Sequence, residues 1–335
     1  MKSSALICNA QQEFSLQEFD IPGLAPNDLL VRCIWSGVSV GTEFAVIRHK
    51  ITYGPFPICT GYQAVGIVED IGADVSRFEV GDKVYYRRSL LPMEVGGEPV
   101  TSCSGAHSSY AIMPEDAEVE IMPEGVDEAT GALFVMPAVG YNAVDMAGVQ
   151  MGDVVAFHAV GLIGLGALAA ARLRGAETIA IDLNPRRLDM AKELGASHVI
   201  DASELSADEV RVRVEEIQPG GADVVFEGSG IPSCLDLAFP LARLKGKFVF
   251  LGHYGKAPVS FNYLVPHAKQ LTAFFPCNDG LAPCRQAVLR NIATGAIPWH
   301  RTITHRVAAS EAPELYAKIN RNDLPDLMGA VIQWS

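Results

Sequence analysis

The sequence predicts an α/β protein made of two differently patterned regions. Three observations carry this. Residues 1–120 break into short strand-like runs separated by turn signals. From about residue 150, apolar runs of five or six residues alternate with helical stretches. No internal repeat or low-complexity linker interrupts the chain. In the first region the runs Asp28–Trp35, Ala64–Ile71 and Asp82–Tyr86 read as strands, and Gly81-Asp82 marks a turn before the last. Short strands at regular spacing imply an all-β, barrel-like unit. In the second region Val154–Phe157 leads into an Ala/Leu/Arg-rich helix ending near Arg174. Thr178–Ile181 precedes a helix over Pro185–Leu194, and Val199-Ile200, Asp223–Phe226 and Phe248–Leu251 continue the alternation. Strands that are apolar throughout belong to a parallel sheet covered on both faces. Beyond about residue 277 come a helix (Pro283–Thr294), a short strand, a helix (Glu311–Asn320) and a closing strand, Gly329–Gln333.

Composition narrows the function. With 335 residues, 49% of them hydrophobic and 19% charged, the chain has core enough for about two domains. No apolar run approaches the roughly 18 residues of a membrane span. The start, Met1–Cys8, reads as a strand and not as a signal peptide. The formal charge is −13, and the longest basic run is Arg87-Arg88. Such a surface repels nucleic acid and anionic lipid, so neither is an expected partner. The seven cysteines are scattered and form no C-x-x-C, which implies free thiols in a reducing cytoplasm. Cys8 and Cys33 lie in apolar runs and are expected in the core. The expectation is a soluble cytoplasmic enzyme.

A nucleotide site is readable after the strand Val154–Phe157. The turn Ala159-Val160-Gly161-Leu162-Ile163-Gly164 is a glycine-poor form of G-x-G-x-x-G at a helix start, with Ala159 replacing the first glycine. Gly161 lets backbone approach a pyrophosphate, and Gly164 lets the helix pack close to the sheet. The helix N-terminus supplies N–H groups for the phosphates. Asp182 closes the next strand, where an acid bonds the ribose hydroxyls of NAD and repels the 2′-phosphate of NADP. Arg186 and Arg187 follow it and soften that preference. His158 flanks the turn and is expected as a hydrogen-bonded structural histidine.

In order along the chain, several stretches resemble the medium-chain dehydrogenase/reductase family of alcohol, sorbitol and threonine dehydrogenases. They are Gly37–Glu43 (G-x-C-G-T-D), Gly61–Val68 (G-H-E-x-x-G-x-V), Val80–Val84 (V-G-D-R-V) and Gly105–Tyr110 (G-x-x-A-E-Y). Leu188–Ala196 (L-x-x-A-x-x-L-G-A) and Glu227–Gly230 (E-x-[ST]-G) complete the set. The resemblance implies a GroES-like β-barrel catalytic domain, residues 1–136 and 277–335, with an inserted Rossmann doubly wound sheet, residues 137–276. It also implies a cofactor site that includes Gly228, Gly252 and His253, the last two following a Rossmann strand near the nicotinamide. A homodimer or homotetramer joined at the Rossmann sheet edge is implied as well.

The departures from the family pattern bear on mechanism. Zinc enzymes of the family use a Cys, a His beside a Glu, and a further ligand. Here the Cys position falls on Ser39 or Val40, the His position on Tyr62, the neighbouring acid on Gln63 and the last ligand near Val135. The lobe that normally holds four cysteines, residues 87–105, has only Cys103. No zinc is expected at either site. In its place the resemblance offers hydroxyls. Thr42 matches the family's proton-relay position, Tyr62 stands where a zinc ligand stood, and Ser39 and Gln63 are further donors. Glu43 matches a family acid with a supporting role, and His49 is expected at the surface. Trp35, Tyr53, Phe56 and Phe274 suit a partly apolar pocket, though ordinary core is the first reading for each.

The expected activity is NAD-dependent, zinc-independent interconversion of a small-molecule secondary alcohol and ketone, in the cleft between domains. A shorter resemblance links Gly37–Glu43 and Gly61-Tyr62 to the bacteriochlorophyllide dehydrogenase-like branch. The alternatives are bound NAD serving a redox-neutral epimerisation or elimination on a sugar, a quinone or enoyl reductase, and a non-enzymatic member of the fold. Asp182 argues against the NADPH-preferring reductases.

Overall fold

The first 134 residues fold mostly as strands, and their spine is Asp28–Val38, an eleven-residue strand with an apolar face. In the computed structural model, which describes residues 1–335, Ala64–Ile71 pairs along one side of it and Gly329–Gln333 along the other. The sheet runs Val119–Ile121, Lys83–Tyr86, Ala64–Ile71, Asp28–Val38, Gly329–Gln333, Ile303–Ala308, with Tyr110–Pro114 also paired to the spine. A second sheet holds Phe14–Asp20, Lys2–Cys8, Ile58–Cys59 and Thr101–Ser102. The register Ala330↔Val38 returns the chain's last strand to this unit. Its core includes Leu6, Cys8, Phe44, Ile47, Tyr316 and Ile332 in one cluster and Leu29, Cys33, Val68 and Tyr86 in another. Cys8 and Cys33 are buried, as their apolar settings predict.

The second unit is one six-stranded sheet, parallel throughout. Its spatial order is His198–Asp201, Glu177–Asp182, Val154–His158, Ala222–Glu227, Ala242–Phe250, Thr272–Phe274. The order reverses between Val154–His158 and Ala222–Glu227, the switch point at which such sheets bind ligands. Phe157 and Phe226 stack across these strands, ring centroids 4.9 Å apart. This is the α/β class expected from the alternation of apolar strands and helices.

The helices Val135–Met146 and Leu162–Leu173 approach closely through two glycines. A Cβ at Gly140 would lie 2.2 Å from the Ala167 nitrogen, and one at Gly166 would lie 2.5 Å from Pro137 Cα. The same region moves the domain boundary. Contacts group Met1–Phe134, Ile292–Thr294 and Ile303–Ser335 as one unit, and Val135–Asn291 with Gly295–Thr302 as the other. Residues 277–291, expected with the β unit, therefore belong with the sheet. The helix Ala282–Ala293 is tied there by Cys284 Sγ donating to the Ala138 carbonyl (3.3 Å) and Asn291 donating to Tyr141 Oη (3.0 Å).

Gly140→Ala forces a methyl group into backbone atoms that cannot give way. It should cost about 2 kcal/mol, read by urea denaturation of the purified protein.

Candidate active site

In the β unit three hydroxyls converge just after the spine strand. Gly41 caps the short helix Thr42–Ile47, and Ser39 precedes it. Ser39 Oγ accepts the Tyr62 phenol at 2.5 Å and the Thr42 backbone N–H at 3.3 Å. Ser39 is buried, while Thr42 and Tyr62 are half-buried. Burial pushes the Tyr62 phenol up to about 12, aided by the charge of Glu43, against the pull of hydrogen bonds from Ser39 and Thr42 and the charge of Arg87. The Arg87 guanidinium sits 5.7 Å from the ring centroid. At neutral pH Tyr62 is therefore a protonated phenol and a hydrogen-bond donor.

Behind this trio lies a polar network that is buried as far as Trp334, which is half-buried. Glu43 Oε1 accepts the Ser39 backbone N–H at 2.8 Å. Glu43 Oε2 accepts the Tyr316 phenol at 2.6 Å and lies 3.0 Å from His107 Nε2, which is itself 2.6 Å from the Tyr316 oxygen. His107 Nδ1 meets Ser36 Oγ at 2.8 Å, and Ser36 accepts the Trp334 indole N–H at 2.8 Å. One hydrogen assignment satisfies the chain. The indole donates to Ser36, Ser36 donates to Nδ1, and Nε2–H is shared between Tyr316 and Glu43. Burial raises the Glu43 carboxyl, but the electrostatic pull of the His107 ring and hydrogen bonds from His107, Tyr316 and Ser39 outweigh it, and the net direction is down. Burial and the Glu43 charge push Tyr316 up. Gly61, at φ 90°, passes so close that a Cβ there would lie 2.7 Å from the His107 ring.

The residues at the family's zinc positions do not fit a zinc ion. A serine, a tyrosine and a glutamine supply neutral oxygen and nitrogen donors, where zinc takes thiolate, imidazole and carboxylate. No group of three His, Cys, Asp or Glu side chains is arranged to hold a metal. The thiols are poor candidates: burial holds Cys8 and Cys33 near 12 and Cys103 near 11, far from the thiolate form. Gln63, read as a further donor, is wholly buried with its amide carbon facing Gly37. Tyr53 is exposed, Trp35 and Phe274 are half-buried, and Phe56, also half-buried, packs against the core of the β unit, as the core reading expected.

In the sheet unit the glycine-rich turn and Asp182 come together. Gly161 caps the helix Leu162–Leu173 in extended backbone, with open space where its Cβ would be. The N–H groups of Leu162, Ile163 and Gly164 lie in the first turn, which offers them no intrahelical acceptor. A Cβ at Gly164 or at Gly228 would sit 2.8 Å from the Ala159 carbonyl oxygen. Ala159 itself has φ 70°, a left-handed conformation that the replaced glycine would adopt without strain. Asp182 is buried, its Oδ2 accepting Val160 N–H at 2.8 Å and its Oδ1 accepting Asn184 N–H at 2.9 Å. Arg187 Nη1 stands 3.6 Å from Oδ2. Each carboxylate oxygen keeps acceptor capacity for a ribose hydroxyl. These features fit a dinucleotide. Gly252 and the exposed His253 line a cavity of about 490 Å³ with Phe250, Tyr254, Phe275 and Cys277. Sequence reasoning did not single out His107, Tyr316 or Trp334. Only His107, within Gly105–Tyr110, stood in a recognised motif.

Comparisons with known proteins agree with this architecture. The alcohol dehydrogenase GroES-like domain family matches residues 25–124, and the zinc-binding dehydrogenase family matches residues 163–293. Sorbitol dehydrogenase 1 of Saccharomyces cerevisiae is 30% identical over 281 residues, covering 78% of this chain and 77% of its own. D-xylulose reductase of Scheffersomyces stipitis is 28% identical over 349 residues, covering 93% and 94%. Among solved structures, an alcohol dehydrogenase of Thermotoga maritima superposes with TM-score 0.86 at 21% identity over 99% of both chains. A Sinorhizobium meliloti dehydrogenase bound to NADP superposes with TM-score 0.84 at 23% identity, also over 99% of both. The chain belongs to the alcohol dehydrogenase-like branch of the medium-chain dehydrogenase/reductase superfamily. It is an oxidoreductase that uses a nicotinamide cofactor.

Because the folded state lowers the Glu43 pKa, its carboxylate lends stability above the usual carboxylate value of about 4.3, and that stability is lost as pH falls through the lower folded value. Glu43→Gln should therefore cost about 2 kcal/mol at neutral pH, since an amide N–H must face one of the donors. The gap from wild type should narrow in acid, as chemical denaturation near pH 7 and pH 3 would reveal.

Proposed function

We propose that the chain interconverts a secondary alcohol and a ketone by hydride transfer with NAD, without a catalytic metal. The observation that carries this is the Ser39–Thr42–Tyr62 hydroxyl cluster, in which Ser39 and Tyr62 fall at the sequence positions of family zinc ligands and Thr42 at that of the relay hydroxyl. When bound, NAD supplies the hydride acceptor. The residues of the chain deal with the substrate oxygen. Tyr62, kept neutral, donates a hydrogen bond to the oxygen as negative charge develops there. A phenol this weakly acidic gives up its proton to an alkoxide and to little else. In the resting chain the phenol points to Ser39, whose backbone is fixed by Glu43, so a substrate oxygen has only to replace one acceptor. Thr42 is the second relay hydroxyl.

Asp182 supports NAD over NADP, because a buried carboxylate bonds ribose hydroxyls and repels a 2′-phosphate. Curated relatives named for sorbitol, D-xylulose and (R,R)-butanediol suggest vicinal diols and polyols as the first substrates to screen. The reading includes a cytoplasmic setting, supported by seven free thiols. It also includes a homodimer or homotetramer joined along the exposed strand Thr272–Phe274.

A screen of polyols, cyclitols, amino alcohols and hydroxyethyl aromatics, followed by NADH absorbance, identifies the substrate. On that substrate Tyr62→Phe should lower kcat by about 100-fold or more with little change in NAD affinity. A loss of less than about twofold contradicts the assignment, since general acid–base groups contribute far more than that.

A further inference from the structure

The ends of the strands at the switch point carry an acid that the hydride-transfer reading does not use. Glu227 closes Ala222–Glu227, in register with His158 on one side and with Phe250 on the other. It is fully buried. Its Oε1 accepts Ser229 N–H at 3.0 Å and lies 3.4 Å from His158 Nδ1, while its Oε2 accepts the Tyr254 phenol. Burial works against the charge, but hydrogen bonds from His158, Ser229 and Tyr254 hold the carboxyl below its ordinary value. Two glycines close over it: a Cβ on Gly252 would lie 2.4 Å from Gly230 N and 3.4 Å from Glu227 Oε2. Gly252 and Tyr254 line the 490 Å³ cavity.

The sheet order says which half of a dinucleotide meets this group. Asp182 holds the adenosine ribose at the end of Glu177–Asp182, and the first turn of Leu162–Leu173 holds the pyrophosphate. Glu177–Asp182 lies on one side of Val154–His158, and Ala222–Glu227 lies on the other. The nicotinamide half therefore runs toward Glu227 and the Gly252–Tyr254 loop. An oxidised nicotinamide ring carries a positive charge and a reduced ring carries none. In a buried site, a fixed negative charge distinguishes the two.

We propose that Glu227, held by Ser229, Tyr254 and His158, is a charge-selective element that favours the oxidised over the reduced nicotinamide. It tunes the cofactor and takes no part in proton transfer. The inference rests on the nicotinamide site and not on the absence of metal. If Glu227 served only to shape the loop, the isosteric amide, which loses one of the two acceptors, would alter both cofactor forms alike.

The test is direct binding of NAD⁺ and of NADH, each titrated into the full-length protein by calorimetry, for wild type, Glu227→Gln and Tyr254→Phe. Glu227→Gln should weaken NAD⁺ by roughly tenfold while NADH stays within about threefold. Tyr254→Phe keeps the charge and removes one donor that screens it, so the preference for NAD⁺ should rise by about threefold. This variant decides the matter if Glu227→Gln does not fold. Equal changes in both affinities, or an unchanged ratio in either variant, overturn the inference and leave the cofactor assignment standing. A wild-type protein that binds neither form overturns both.

Discussion

The Glu43 carboxylate is the interaction on which the β unit's candidate site depends. Burying a lone carboxylate costs several kcal/mol, so it persists only where donors surround it. Here the donors are the Ser39 amide, the Tyr316 phenol and the His107 imidazole. They bring together the end of Asp28–Val38, the helix Thr42–Ile47, the segment before Tyr110–Pro114 and the helix Ala312–Arg321. Through Ser36 the network reaches Trp334, one residue from the end of the sequence. The amide that Glu43 holds belongs to Ser39, whose hydroxyl anchors Tyr62. A buried charge thus sets the position of the hydroxyls proposed to meet substrate.

Much of this was legible in the chain. The change from short strands to apolar strands alternating with helices marks the two units, because a sheet buried on both faces leaves no polar alternation. The glycine-rich turn and Asp182 could be read together, because both sit at strand ends set by a local βαβ unit. The structure adds that their link is a direct bond from Val160 N–H to Asp182. Glu43 and Tyr316 were not readable as partners, since 273 residues separate them and no local pattern encodes such a pairing. The placement of 277–291 was likewise hidden. It depends on Cys284 and Asn291 bonding to Val135–Met146, not on the amphipathic pattern of the helix itself. Gln63 shows the limit of carrying a ligand position over by motif, because the residue now packs beneath Gly37.

Family membership and site chemistry separate cleanly here. The fold and the sheet order are those of the dehydrogenases this chain matches, while under the proposed reading Ser39 and Tyr62 take the place of metal ligands. A Lewis acid and a phenol meet the same need, stabilising charge on a substrate oxygen, by different means. The metal lowers the pKa of what it binds, whereas Tyr62 must be kept protonated to act as a donor. Its burial and the nearby Glu43 charge do that. In the sheet unit Asp182 and Glu227 are likewise both buried and both bonded to backbone N–H groups at strand ends. Ala159 holds a strained turn between them, which shows that the turn's shape is kept even where glycine is not.

The claim that hydroxyls replace the metal is tested most directly by measuring metal content and turnover together. Protein purified without added metal, then dialysed against a strong chelator, should hold far less than one zinc per chain and keep its full rate on the substrate found by screening. Stoichiometric zinc, lost with activity on chelation and restored with it on zinc addition, would contradict the account.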